Sequence, residues 1–72
     1  MSEKTINQII GANLKRLIKK SKYRTQENFS FEFGIELRRL SRWLNGSISR
    51  IEDIVYMANA LEVDFRSLFE EE

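Results

Sequence analysis

The chain has 72 residues and a net charge of +1, enough for one small domain near the lower limit for a self-sufficient core. It contains no cysteine and no histidine, which excludes disulfide staples and thiolate metal sites and removes the commonest general base and metal ligand. No apolar run is long enough to span a membrane and no signal-peptide pattern opens the sequence, so a reduced, cytoplasmic setting is expected.

Thr5-Ile6-Asn7-Gln8 reads as a capping box and starts a helix over about residues 6–20. Ile6, Ile10, Leu14 and Leu17 recur at helical steps and define its core stripe, with Ile9 and Ile18 at the edges. Lys15, Arg16, Lys19 and Lys20 occupy the remaining surface. Next comes the stretch from Thr25 to Gly46, read as helix, tight turn, helix. Thr25 is the N-cap of a helix over 26–33, and Gly34 ends it because glycine takes the left-handed conformation without steric cost. A second helix over about 36–45 is closed by Asn45-Gly46.

Two helices joined by so short a turn must cross steeply. Phe29 and Phe33 on the first, and Leu40 and Trp43 on the second, supply the crossing, while Ile35 fills the turn and small Ser30 lets the backbones approach. Phe29, Phe31 and Phe33 also alternate with Ser30 and Glu32 in strand periodicity. The run is short, no hairpin turn follows and its neighbours read as helix, so the helical reading is preferred and Phe31 is left off the core face. The outward face of the second helix carries Leu37, Arg38, Ser41, Arg42 and Asn45, with two arginines one turn apart in reach of a common partner.

Ser49-Arg50-Ile51-Glu52 reads as another capping box, opening a helix over about 50–61 with Ile51, Ile54, Val55, Ala58 and Leu61 as its stripe. Asp64 caps a last short helix over 65–69, and Glu70 to Glu72 is read as a frayed tail. The class is therefore all-α, one domain of five helices.

Residues 13–50 hold ten basic residues against three acidic ones, a net +7, and residues 51–72 hold one against seven, a net −6. A nearly neutral chain with one basic and one acidic half has a polarised surface, read as a footprint for a polyanion.

Thr25-Gln26-Glu27, Phe29, Ser30, Phe33-Gly34-Ile35, Leu40, Ser41-Arg42-Trp43 and Asn45-Gly46 resemble the helix-turn-helix of phage repressor and Cro-type regulators, the XRE family. The likeness continues through Ile51-Glu52-Asp53-Ile54, Met57 to Leu61 and Val63 to Phe69, and covers about residues 10–69. It implies a five-helix, lambda-repressor-like DNA-binding domain that binds a double-stranded operator, usually as a two-fold homodimer. Carried over by position, it implies that Leu37, Arg38 and Arg42 read base edges, with Ser41 beside them, and that Gln26 and Asn45 meet backbone phosphate. Arg39 flanks these positions, and Lys19, Arg24 and Arg50 are further candidates for phosphate. The connection Ser21-Lys22-Tyr23-Arg24 is one residue longer than usual, with Tyr23 in place of the ordinary apolar anchor.

With the basic half left open for DNA, dimerisation is expected through the acidic half, at Phe65, Leu68 and Phe69. The expected function is a transcriptional regulator, a repressor acting by steric occupancy. The alternative is a protein-interaction module of the same fold, antitoxin-like or anti-repressor, using Phe31 and the Phe65/Phe69 end as its active surface. No enzyme activity, metal, cofactor or small-molecule ligand is expected, since the serines have no histidine partner.

Overall fold

A computed structural model of the protein describes residues 5–70. Over these residues the regular structure is helical: α1 (Ile6–Lys20), α2 (Gln26–Phe33), α3 (Leu37–Arg42), a π-helical turn (Trp43–Ser47), α4 (Ile51–Ala60) and a 3₁₀ helix (Phe65–Phe69). The described residues thus form four α-helices, and the last short helix expected from the sequence is of the tighter 3₁₀ kind. Of the expected tail, Glu71 and Glu72 lie outside the described residues.

The α1 capping box forms as its sequence dictates: Thr5 Oγ1 accepts from the Gln8 amide at 3.2 Å and Gln8 Oε1 from the Thr5 amide at 3.0 Å. The buried stripe of α1 differs from the expected one. Ile10, Leu14 and Ile18 are buried, whereas Ile6 is half exposed and Leu17 only partly covered. The reason is tertiary, because the π-helical turn and the 3₁₀ helix cover α1 around Gly11 and Asn13 and centre the buried face there. A Cβ on Gly11 would lie 2.7 Å from the Leu44 carbonyl oxygen, so two backbones meet at this glycine. Two residues on, buried Asn13 donates through Nδ2 to the carbonyls of Leu68 (2.7 Å) and Glu70 (2.8 Å), tying the end of the fold to its first helix.

The connection from α1 to α2 is built from local bonds. Ser21 Oγ donates to the Ile18 carbonyl at 2.7 Å and accepts the Tyr23 amide at 3.1 Å. Arg24 then takes φ +68°, and the Thr25 amide donates back to the Tyr23 carbonyl at 2.7 Å, a three-residue turn. This turn absorbs the length of the connection while the Tyr23 ring packs edge-on against Phe29 and Phe33, with centroids 5.3 and 5.5 Å away.

Thr25 caps α2 by accepting the Asn28 amide at 3.1 Å. At its other end Gly34 is left-handed (φ 65°, ψ 28°), and the Ile35 amide reaches back to the Ser30 carbonyl at 3.0 Å. Residues 29–33 are helical, with Phe29 fully buried, Phe33 partly buried and Ser30 buried with its hydroxyl on the Glu27 carbonyl.

The second helix of the pair is shorter than the expected 36–45. Glu36 stands at its N-cap without a side-chain cap bond, the α-helix covers Leu37–Arg42, and the chain then widens into the π-helical turn. Gly46, at φ 105° and ψ 14°, ends that turn, so Asn45 sits on it rather than on an α-helical face. The turn buries Leu44, and Ile48 just beyond it is fully buried, although local sequence pattern places Ile48 only in a connection.

The capping box expected at Ser49–Glu52 does not form. Arg50 occupies the N-cap with extended backbone and no side-chain cap bond, so α4 begins one residue later than that pattern implies. Glu52 and Asp53 in the first turn instead suit the positive end of the helix dipole. Ile51 is exposed rather than part of the stripe, and Ile54, Met57 and Ala58 carry the packing. At the last element Asp64 does cap, accepting the Arg66 amide at 3.0 Å. The side-chain bond from Arg66 is the first cause holding the Asp64 carboxyl below its usual range.

Candidate nucleic-acid interface

The exposed surface of α3 follows from where its one buried residue points. Leu40 is fully buried against α2 and the core, so successive residues, at about 100° each, turn Leu37, Ser41, Arg38 and Arg42 into one outward arc, with Arg39 further round. Leu37, Arg38, Arg39 and Arg42 are exposed and Ser41 is partly covered. Among the described residues none of the three arginines has an ion-pair or hydrogen-bond partner; the ion pair present there is Arg66 with Asp64, at 3.0 Å. Three guanidinium groups without internal acceptors are available to an external anion, and guanidinium forks suit carboxylate, phosphate and guanine edges.

One shallow depression borders this arc, and a second, between α1 and α2, shares Gln26 with it. One is lined by Gln26, Glu27, Leu37 and Ser41. The other is lined by Lys15, Ile18, Lys19, Arg24, Thr25 and Gln26. Gln26 is therefore the hinge of the surface, between the start of α3 and the basic end of α1. It opens α2, where first-turn amides have no intrahelical acceptor and the helix dipole favours negative charge.

Of the site residues expected from the sequence, Gln26, Leu37 and Ser41 are brought to one depression, and Gln26, Lys19 and Arg24 to the other. Arg38 and Arg42 line neither and stand on the open arc of α3. Asn45 is exposed on the π-helical turn and Arg50 is exposed at the N-cap of α4. At the far end Leu68 is completely buried, which removes it from any surface shared with a partner. Phe65 and Phe69 remain partly covered there, their rings edge-on at 5.9 Å. Lys15 joins the surface without being among the expected site residues, although its spacing of four from Lys19 on α1 places both on one side of that helix. Glu27, in the first turn of α2 beside Leu37, joins it too, and nothing in local sequence pattern marks it.

Among the described residues no helix is long and apolar enough to cross a membrane. No protein-family model matches the chain, and neither a curated protein nor a solved structure matches it.

Proposed function

We propose that the chain is a sequence-specific regulator of transcription that binds double-stranded operator DNA, with the five-helix, lambda-repressor-like arrangement as its fold and repression by steric occupancy as its action. The observation that carries this reading is Arg38 and Arg42 one turn apart on the exposed arc of α3, without an internal partner among the described residues. A helix of this kind fits the major groove, where arginine bonds guanine O6 and N7 in bidentate fashion and each good pair gives roughly 1–3 kcal/mol of discrimination. Leu37 has no hydrogen-bonding group and meets a thymine methyl, with Ser41 beside it. Gln26, Lys19, Arg24, Arg39, Asn45 and Arg50 hold phosphates and fix the register.

Two copies act as a homodimer, setting two recognition helices in successive major grooves about 34 Å apart. The role is binding without catalysis. A second reading, a protein-binding module of the same fold, is favoured by Phe31, which is 88% exposed. Selection of bound sequences from a random duplex pool tests the proposal. Enrichment of a two-fold symmetric site is expected; a pool that stays random and is not retained leaves the protein-binding reading in its place.

A further inference from the structure

Phe31 is the most exposed large apolar side chain of the described residues, while the other α2 aromatics, buried Phe29 and partly buried Phe33, pack against each other with centroids 4.6 Å apart. It stands in the middle of the outward face of α2, because Phe29, Ser30 and Phe33 turn the opposite face inward. Glu27, one turn before it, and Glu32, the next residue, are both exposed, and among the described residues neither has an ion-pair partner.

The charge placement is not that of an ordinary solvated face. Residues 13–50 carry ten basic side chains and three acidic ones, Glu27, Glu32 and Glu36. Two of those three flank Phe31. Glu27 lies in the first turn of α2, where the helix dipole favours it, but Glu32 lies in the last turn, where the dipole opposes a carboxylate. Helix stability therefore explains Glu27 and leaves Glu32 and the exposed ring without a local reason.

We propose that the Glu27–Phe31–Glu32 face of α2 is a docking surface for a basic amphipathic segment of a partner protein, in which an apolar side chain covers the Phe31 ring and flanking lysines or arginines meet the two carboxylates. Charge complementarity selects this occupant. The carboxylates of Glu27 and Glu32 disfavour an anionic partner and attract cations, while the exposed ring between them offers apolar area to a side chain that covers it. One ring with two carboxylates makes a small contact, so the association is weak and exchanges quickly. The inference uses no residue of the α3 arc, and although Glu27 also borders the depression that holds Gln26, Leu37 and Ser41, Phe31 and Glu32 line neither depression and separate this face from the DNA reading.

The test is a titration of the isotopically labelled full chain, followed by amide chemical shifts, with a short helical peptide built only of leucine and lysine. A matching peptide of leucine and glutamate is the control. Shifts centred on residues 27–32 are expected with the lysine peptide and none with the glutamate peptide. Phe31→Ala should weaken binding about tenfold, and Glu27→Gln with Glu32→Gln should weaken it further and remove its salt dependence. All three side chains are exposed, so these variants keep the fold, which their amide spectra check. Shifts centred on the acidic residues 51–70 would overturn the proposal, as would lysine-peptide affinity unchanged by Phe31→Ala. Duplex binding by Phe31→Ala stays at the wild-type level whichever way this titration falls, which separates it from the proposed function.

Discussion

Gly11 shows how differently a single residue reads from sequence and from packing. Alanine is the better helix former by about 1 kcal/mol, so a helix-propensity argument predicts that Gly11→Ala stabilises α1. In the fold its new Cβ would meet the Leu44 carbonyl oxygen at 2.7 Å and the Trp43 carbonyl oxygen at 2.9 Å, and both are backbone atoms that cannot swing aside. Overpacking of this kind costs typically about 1–3 kcal/mol, so the net effect is a destabilisation of up to about 2 kcal/mol and a melting temperature lower by several degrees. A higher melting temperature would show that α1 and the π-helical turn do not approach so closely. Gly34 is the contrasting case, with φ +65° and open space around its missing Cβ. Gly34→Val destabilises through backbone strain alone, by roughly 1–2 kcal/mol or somewhat more for a β-branched residue, and a melt unchanged from wild type would place Gly34 outside the left-handed region.

The same contrast explains which residues are legible in the sequence. Gly34 and Gly46 mark turns that the local sequence dictates, and both have positive φ. Gly11 and Asn13 depend on segments far along the chain; the Leu68 carbonyl that Asn13 holds is 55 residues away. No local pattern carries that information. On the proposed function Arg38→Ala and Arg42→Ala each cost roughly 1–3 kcal/mol on the selected site and relax the base preference there. Unchanged binding profiles in both variants would move the recognition face off α3.

Among the elements, those set by caps and punctuation are legible in the sequence and those set by packing are not. The boundaries of α1 and α2 follow Thr5, Thr25 and Gly34, whose capping bonds are local. The start of α4 departs from its sequence pattern: Arg50 stands at the N-cap with extended backbone and no side-chain cap bond, just beyond the fully buried Ile48, whose burial no local pattern announces. The end of α3 departs from it because the wider turn at Trp43–Ser47 is pressed against α1, an approach the α3 sequence does not announce. The connection before α2 carries its own test. Arg24 sits at φ +68°, a conformation that costs an ordinary residue roughly 1–2 kcal/mol. Arg24→Gly removes that strain, and the greater freedom of glycine in the unfolded chain offsets it by about 0.5–1 kcal/mol. The melting temperature should therefore stay level or rise slightly, while on the proposed function duplex affinity falls because one phosphate is no longer neutralised. A clear drop in melting temperature would mean that the Arg24 side chain supports the fold, and its place beside Lys15 and Lys19 would then be structural.

For the whole molecule the decisive property is the division of charge, +7 over residues 13–50 against −6 over residues 51–72, which net charge alone conceals. A basic half that binds duplex DNA neutralises phosphates and releases condensed counterions, so log affinity falls with log salt at a slope near −0.9 per neutralised phosphate, roughly. On the proposed function, about three to five phosphates per subunit, met by Lys19, Arg24, Arg39, Arg50 and their neighbours, give roughly six to ten for a dimer. In that range a rise from about 50 to 200 mM salt lowers affinity by about 10³–10⁵. Arg39 lies off the arc shared by Leu37, Ser41, Arg38 and Arg42, so Arg39→Ala should weaken binding alike on all sequences and flatten the slope by about one unit for each phosphate left unneutralised. The protein-binding face at Phe31 behaves differently, since it does not bind duplex and its own salt dependence comes from two carboxylates alone. A salt titration on random-sequence duplex, for wild type and Arg39→Ala, separates the two functions. Wild-type protein that shows no duplex binding at the low-salt end would end the regulator reading, and the basic half would then need a different polyanion to explain it.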